Sequence, residues 1–310
     1  MKTIKTEHFG IQRKIVANMT SESWREIPHV SYMYEADVTE LYELYKEMNS
    51  EYAGKITFNT LILKIITEGL KAAPEMNSHI NFNRRLVRGQ INTFSNINIS
   101  MPTILPDGKM MTVNLRNFES RDLDEMTAYI NDITRRAENT DLNEALFSVS
   151  LQDTLKALRK GHILKTVYRL IGSKTGRHRV KTLSGKAKRE YEAIPETERL
   201  TPYDLEQGTV TVSNIGSTYL GQKGAMALLE IVPPQVCAFG VGAVQKKPVV
   251  TENDEIEVRR VLPICIAFDH RALDFGDIVP FMKKLDGIFS SPEIIFSWRS
   301  ERRKLKRISA

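Results

Sequence analysis

An apolar run ends at a histidine in the stretch Ile264-Cys265-Ile266-Ala267-Phe268-Asp269-His270-Arg271. An imidazole just past a buried strand is placed to meet a ligand. Its ordinary pKa lies near neutral pH, which suits a general base. Asp274 follows four residues later, where a carboxylate can touch the ring or fix its loop through an arginine. The same spacing also suits a polar strand exit with no chemistry. From these residues alone both readings stand open.

The elements around them follow from period and turn residues. Residues 28–36 and 208–214 read as strands, as do 235–244, after Pro233-Pro234, and 258–268. Residues 97–115 read as a hairpin turning at Pro106-Asp107-Gly108. Asp37 with Glu40 forms a capping-box pattern ahead of a helix carrying Leu41, Leu44, Tyr45 and Met48 on one face. Residues 57–73 predict an apolar helix buried on most sides, ending at Pro74. Leu123, Met126, Ile130 and Ile133 mark an amphipathic helix over 120–137. Another helix, over 276–289, holds Pro280 in its first turn. Strands mixed with crossing helices predict α/β or α+β layers.

At 310 residues the chain can bury a large core, and no apolar run is long enough to span a membrane. The N-terminus lacks the apolar core of a secretory signal, which predicts a cytoplasmic protein. Cys237 and Cys265, each within an apolar run, read as buried free thiols rather than a disulfide or a metal site. No metal is expected. Charge is unevenly spread. Of 44 Lys and Arg, 12 fall within 154–189, a stretch without Asp or Glu, and the other 32 face all 38 acidic residues. Leu155, Leu158, Leu164, Val167, Leu170 and Ile171 alternate there with basic residues at roughly helical spacing. Such a stretch could lie on an anionic membrane surface, cover a substrate channel, dock an acidic carrier protein, or be a solvated helical hairpin. Nucleic acid is a poor partner, because little aromatic interleaving accompanies the charge.

Several stretches together resemble the catalytic domain of the dihydrolipoyl acyltransferases of 2-oxo acid dehydrogenase complexes. Asp269-His270-Arg271-Ala272-Leu273-Asp274 is similar to the family signature Asp-His-Arg-x-x-Asp-Gly. Residues 208–216, 232–242, 27–41 and 71–77 resemble further family segments in the family's order. The resemblance covers nearly the whole chain except about 145–205.

The resemblance implies a chloramphenicol acetyltransferase-like α/β fold, a two-layer sandwich with a mixed sheet that forms a homotrimer or larger homo-oligomer. It implies acyl transfer between a thioester of coenzyme A, a lipoyl group or an acyl carrier protein and a thiol, hydroxyl or amine acceptor. His270 would be the general base, and Ser213, from a neighbouring subunit, the oxyanion donor. Asp274 would hold the histidine loop through an ion pair with Arg13, and Asn214 and Phe275 would meet substrate. Ser213 could instead satisfy backbone groups at its strand end, and Asp274 could cap the following helix.

Three departures stand out. Phe275 occupies the signature's glycine position, with Gly276 one residue late. If that glycine serves a positive φ, the loop is reshaped, or Phe275 lines a pocket. The chain leaves no room for a lipoyl or peripheral subunit-binding domain, so 1–310 is expected to be one catalytic domain. Residues 145–205 form a basic, largely helical insertion within it. The alternative in another class is a non-catalytic trimeric scaffold or a membrane-surface binding protein that retains the fold.

Overall fold

The computed structural model describes residues 1–104, 108, 110–159, 180–251 and 253–300. In chain order these form α1 (Ile11–Glu26), β1 (His29–Asp37), α2 (Thr39–Glu51), α3 (Phe58–Ala72), β2 (Ser78–Asn83), β3 (Arg88–Thr93), β4 (Ile99–Ile104) and β5 (Met110–Leu115). Then come α4 (Leu123–Glu138), α5 (Leu142–Arg159), α6 (Gly185–Glu192), α7 (Pro202–Leu205), β6 (Val210–Asn214) and α8 (Ile215–Thr218). The last are β7 (Cys237–Val241), β8 (Gln245–Val250), β9 (Ile256–Asp269) and α9 (Phe275–Ser290). The chain divides into two units. One comprises Met1–Glu22, Thr103–Asn114 and Asp132–Gln207; the other comprises Ser23–Pro102, Leu115–Asn131 and the described residues from Gly208 onward.

The second unit carries β1, β9, β7, β6 and most of β4, hydrogen-bonded in that order as a sheet, with β8 pairing on β9. It is mixed, as expected: β4, β6 and β7 run parallel, while β9 is antiparallel to β1, β7 and β8. β9 organises it. Its second half lies between β1 and β7, and the run Val261–Asp269 is buried on both faces. That is why the sequence there is continuously apolar rather than alternating. Pro263 cannot donate to a ladder, and it sits where β7 has ended. The Gly242 N–H donates to the Pro263 carbonyl at 2.9 Å, and a Cβ on Gly242 would meet the proline ring at 2.7 Å.

Two helices pack within this unit beside the strands. α3 is buried from Thr60 to Leu70 except at Glu68, as its apolar sequence predicts. α9 buries Ile278, Phe281, Leu285 and Ile288, and Phe281 stacks on Phe239 of β7 at 5.1 Å. Two local readings change. α2 begins at Thr39 behind Val38, and no box with Glu40 forms; the Asp37 carboxylate instead accepts from the Thr39 N–H and hydroxyl and from Arg259. α9 begins at Phe275, so Pro280 lies beyond its first turn, and the Gly276 carbonyl loses its usual helical donor.

In the first unit, Arg136 of α4 makes a two-pronged bond to Asp204 of α7 at 2.9 Å on each arm. Burial would raise the Asp204 carboxyl, but the bonds from Arg136 and Thr201 outweigh it and hold it below the usual range. The predicted hairpin is present as β4 and β5, although Pro106 and Asp107 lie outside the described residues. So does most of the basic stretch 154–189. Within its described end, Lys186 and Lys188 face Glu190 and Glu192 along α6. Among the described residues no helix is long and apolar enough to cross a membrane.

A histidine clasp fixes the entry to β1. The His29 Nδ1–H donates to the Ile27 carbonyl at 2.9 Å, and its Nε2 accepts the Ile231 N–H at 3.1 Å. Buried Ser23 donates to the Ile231 carbonyl at 2.7 Å. Burial lowers the pKa of His29, against backbone bonding that favours the charged ring; His79 is lowered for the same reason.

Two predictions follow from these contacts. Arg299, with 0 % of its side chain exposed, binds Asp124 through two arms at 3.0 and 3.1 Å. Arg299→Met removes the guanidinium from that buried carboxylate, and urea unfolding should show a loss of about 3–5 kcal/mol. The unfolded chain protonates His29 and His79 near pH ~6.5 while the folded one resists, so it binds more protons and stability falls as pH drops below that value. The urea midpoint should be lower at pH 5.5 than at pH 7.5, and a His29→Gln, His79→Gln double variant should flatten that slope.

Candidate active site

His270 emerges where β9 ends. The main chain is held on both sides there: the His270 N–H donates to the Pro28 carbonyl at 3.1 Å, and the Asp269 N–H to the Val236 carbonyl at 2.8 Å. The Ala272 and Leu273 N–H groups both return to the Asp269 carbonyl, at 2.9 and 3.0 Å, closing a tight turn. That turn places the Leu273 carbonyl 3.1 Å from His270 Nδ1. A carbonyl can only accept, so Nδ1 carries the proton and Nε2 keeps its lone pair. The ring packs edge-on to Phe268, and 52 % of the side chain is exposed.

Asp274 stands where its spacing suggested, with a carboxylate oxygen 3.4 Å from Nδ1, but 84 % of its side chain is exposed. It also forms the N-terminal cap of α9 in a reciprocal box with Asp277, whose carboxylate accepts the Asp274 N–H at 2.8 Å. The helix-cap reading of Asp274 therefore holds alongside the ring contact. Arg13 lies on α1 in the other unit, so its pairing with Asp274 stays an expectation. Phe275 is the first residue of α9 and is absent from the positive-φ positions, so the phenylalanine is accommodated without backbone strain. Half exposed, it lies edge-on to Tyr32 of β1 at 5.4 Å.

Ser213 is the penultimate residue of β6 and is 9 % exposed. Its hydroxyl makes no hydrogen bond among the described residues. Asn214, expected to meet substrate, is engaged within the chain. Its Oδ1 accepts the Ser217 N–H at 2.9 Å to cap α8, and its Nδ2 donates to Asn59 Oδ1 at 2.7 Å. Both ends of the amide therefore hold the main chain beside Ser213. Asn59 was missed at the sequence level. Its only signal is a polar residue near the start of an apolar helix.

The register separates the two candidate groups. Ser213 lies opposite Gly240, which lies opposite Cys265, five residues before His270. At about 3.3 Å per residue and ~4.8 Å per strand, this puts them roughly 15–20 Å apart at opposite ends of the sheet. One chain does not bring them together. The described residues contain no group of His, Cys, Asp and Glu fit to hold a metal ion.

Comparison with known proteins gives the family. The profile of the family described as 2-oxoacid dehydrogenases acyltransferase (catalytic domain) matches residues 2–150 and 176–297. The chain is 26 % identical over 290 residues to the lipoamide acyltransferase component of the branched-chain alpha-keto acid dehydrogenase complex of Pseudomonas aeruginosa, covering 93 % of this chain and 52 % of that one. It is 24 % identical over 293 residues to the dihydrolipoyllysine-residue acetyltransferase component of the Staphylococcus epidermidis pyruvate dehydrogenase complex, covering 94 % and 52 %. The chain thus spans about half the length of the curated relatives it matches. Among solved structures, the Azotobacter vinelandii dihydrolipoamide acetyltransferase superposes with a TM-score of 0.64 at 18 % identity, covering 94 % of each chain. A probable dihydrolipoamide acetyltransferase from Listeria monocytogenes gives 0.60 at 21 %, covering 92 % and 94 %. The fold is that of these acetyltransferase cores, and the chain belongs to the family of 2-oxoacid dehydrogenase acyltransferase catalytic domains.

Proposed function

We propose that this chain transfers an acyl group between the thioester of one carrier and the thiol of another. The carriers would be coenzyme A and a lipoyl group or an acyl carrier protein. One observation carries the reading: the Nδ1–H of His270 points at the Leu273 carbonyl, which leaves Nε2 as a free base at the exposed end of a buried strand. A free thiol titrates near ~8.5, so it needs a base to react quickly at neutral pH. Nε2 takes the proton of the acceptor thiol as its sulfur attacks the acyl carbonyl carbon. The carbonyl oxygen becomes an oxyanion, and the Ser213 hydroxyl donates to it. The tetrahedral adduct collapses, its bond to the donor sulfur breaks, and the imidazolium returns the proton to the departing thiolate.

Because one chain holds His270 and Ser213 at opposite ends of its sheet, the reading requires that they meet from neighbouring copies. We propose a homotrimer with three shared sites, and Arg13 is proposed to brace the histidine loop through Asp274. Phe275 and Tyr32 are suited to form an apolar wall beside the acyl group or the carrier arm. The charge of 154–189 supports contact with an anionic lipid surface or an acidic carrier protein. Vesicle flotation of the chain with and without 154–189 separates these: equal flotation dismisses the lipid contact.

The decisive assay is acyl transfer from a panel of acyl-coenzyme A donors to dihydrolipoamide. His270→Ala should lose activity by at least ~10²-fold, and Ser213→Ala by ~10²–10³-fold, chiefly in kcat. A folded wild type as inactive as His270→Ala on every donor would favour the non-catalytic scaffold. Gly216 of α8 tests the placement of Ser213. A Cβ there would lie 2.3 Å from the Gly242 carbonyl oxygen, a backbone atom with little freedom to yield. Gly216→Ala should therefore cost about 1–3 kcal/mol in urea unfolding and lower kcat more than KM changes.

A further inference from the structure

We infer that a buried carboxylate–guanidinium pair, Asp269 with Arg271, orients the His270 imidazole, and that the ionic contact with Asp274 is dispensable for it. The inference rests on the acyltransferase reading for its kinetic arm only. Asp269 is the last residue of β9, and its side chain is 0 % exposed. Arg271 clasps it with Nε–H to Oδ1 at 2.9 Å and to Oδ2 at 3.1 Å, and with Nη2–H to Oδ2 at 2.6 Å. The Arg271 backbone N–H adds a fourth bond, to Oδ1 at 2.9 Å. The guanidinium also lies over the Phe82 ring of β2, 5.8 Å from its centroid.

These bonds bracket His270 in sequence. The residue before it is fixed by its carboxylate and carbonyl, and the residue after it by its side chain and N–H. The same Asp269 carbonyl receives the Ala272 and Leu273 N–H groups, which fixes the direction of the Leu273 carbonyl. That carbonyl selects the Nδ1–H tautomer. Asp274 is a weaker candidate on three counts: it is farther from Nδ1 than the Leu273 carbonyl is, mostly in water, and already engaged at the start of α9. An exposed carboxylate at 3.4 Å contributes little to fixing a ring. Asp269 and Arg271 are therefore positioning residues, acting on the base through the turn.

The test reads the tautomer directly, by long-range 15N–1H correlation on histidine-labelled protein, together with kcat and KM. In Asp274→Asn, His270 should keep its Nδ1–H form. The double variant Asp269→Asn, Arg271→Met removes both partners and so leaves no lone buried charge. It should lose the preference for Nδ1–H, with kcat reduced on the order of 10²-fold and KM little changed. Arg271→Lys, which keeps the charge, should retain more activity than Arg271→Met. Loss of the Nδ1–H form in Asp274→Asn overturns the inference, as does its retention in a folded double variant. Should the double variant fail to fold, Arg271→Lys is read beside Asp274→Asn: a weakened Nδ1–H preference in Arg271→Lys with its retention in Asp274→Asn upholds the inference, and any other pattern rejects it. The tautomer readout stands even if the wild type transfers no acyl group, so failure of the enzyme reading and failure of this one are told apart.

Discussion

A carboxylate with no exposed surface at the end of a central strand is costly to bury without a partner. Asp269 finds its partner two residues further along its own chain, and much of the site geometry follows. The chain turns back at once, with the Ala272 and Leu273 N–H groups on the Asp269 carbonyl, and β9 ends there. The residue between the two is thrust out of the sheet, and that residue is His270. The carbonyl of the turn then meets one ring nitrogen and leaves the other bare. A costly buried charge thus becomes the reason that a mobile side chain presents one nitrogen in one direction.

The opposite end of the sheet is built by other means. Ser213 is held by its strand register, by the amide of Asn214 and by the reach of Asn59 from α3. No ion pair takes part in those contacts. A donor for an oxyanion needs a fixed place and an unengaged proton rather than a tuned charge. The two ends therefore show two kinds of preorganisation: ionic and turn-based at the histidine, neutral and strand-based at the serine.

Much of this was legible in the sequence, unevenly and for physical reasons. The continuous apolar run before Asp269 announced a buried strand, and β9, lying between β1 and β7, is that strand. α3 and α9 were readable because their apolar residues recur at helical spacing. Capping was read less well. Asp37 and Glu40 have the right spacing for a box, yet Asp37 is drawn away by Arg259, which lies more than two hundred residues further along. The supporting role of Asn214 was hidden for a similar reason, since its partner Asn59 is distant in sequence. Motif spacing exposes contacts within a turn or a helix; pairs closed by tertiary structure leave no local trace. The Asp269–Arg271 pair is local, but a pattern of residue types does not say which of two carboxylates flanking a histidine is the buried one.

Gly216 and Gly242 meet main chain to main chain beside Ser213, with no room for a methyl group between them. Contact of that kind is set by peptide geometry alone, which is the stiffest material a protein has. Side chains elsewhere in the core can be exchanged or resized without altering the spacing of two bare backbones. The ledge that carries the serine is thereby insulated from drift in the surrounding interior, and its position is inherited from the polypeptide itself.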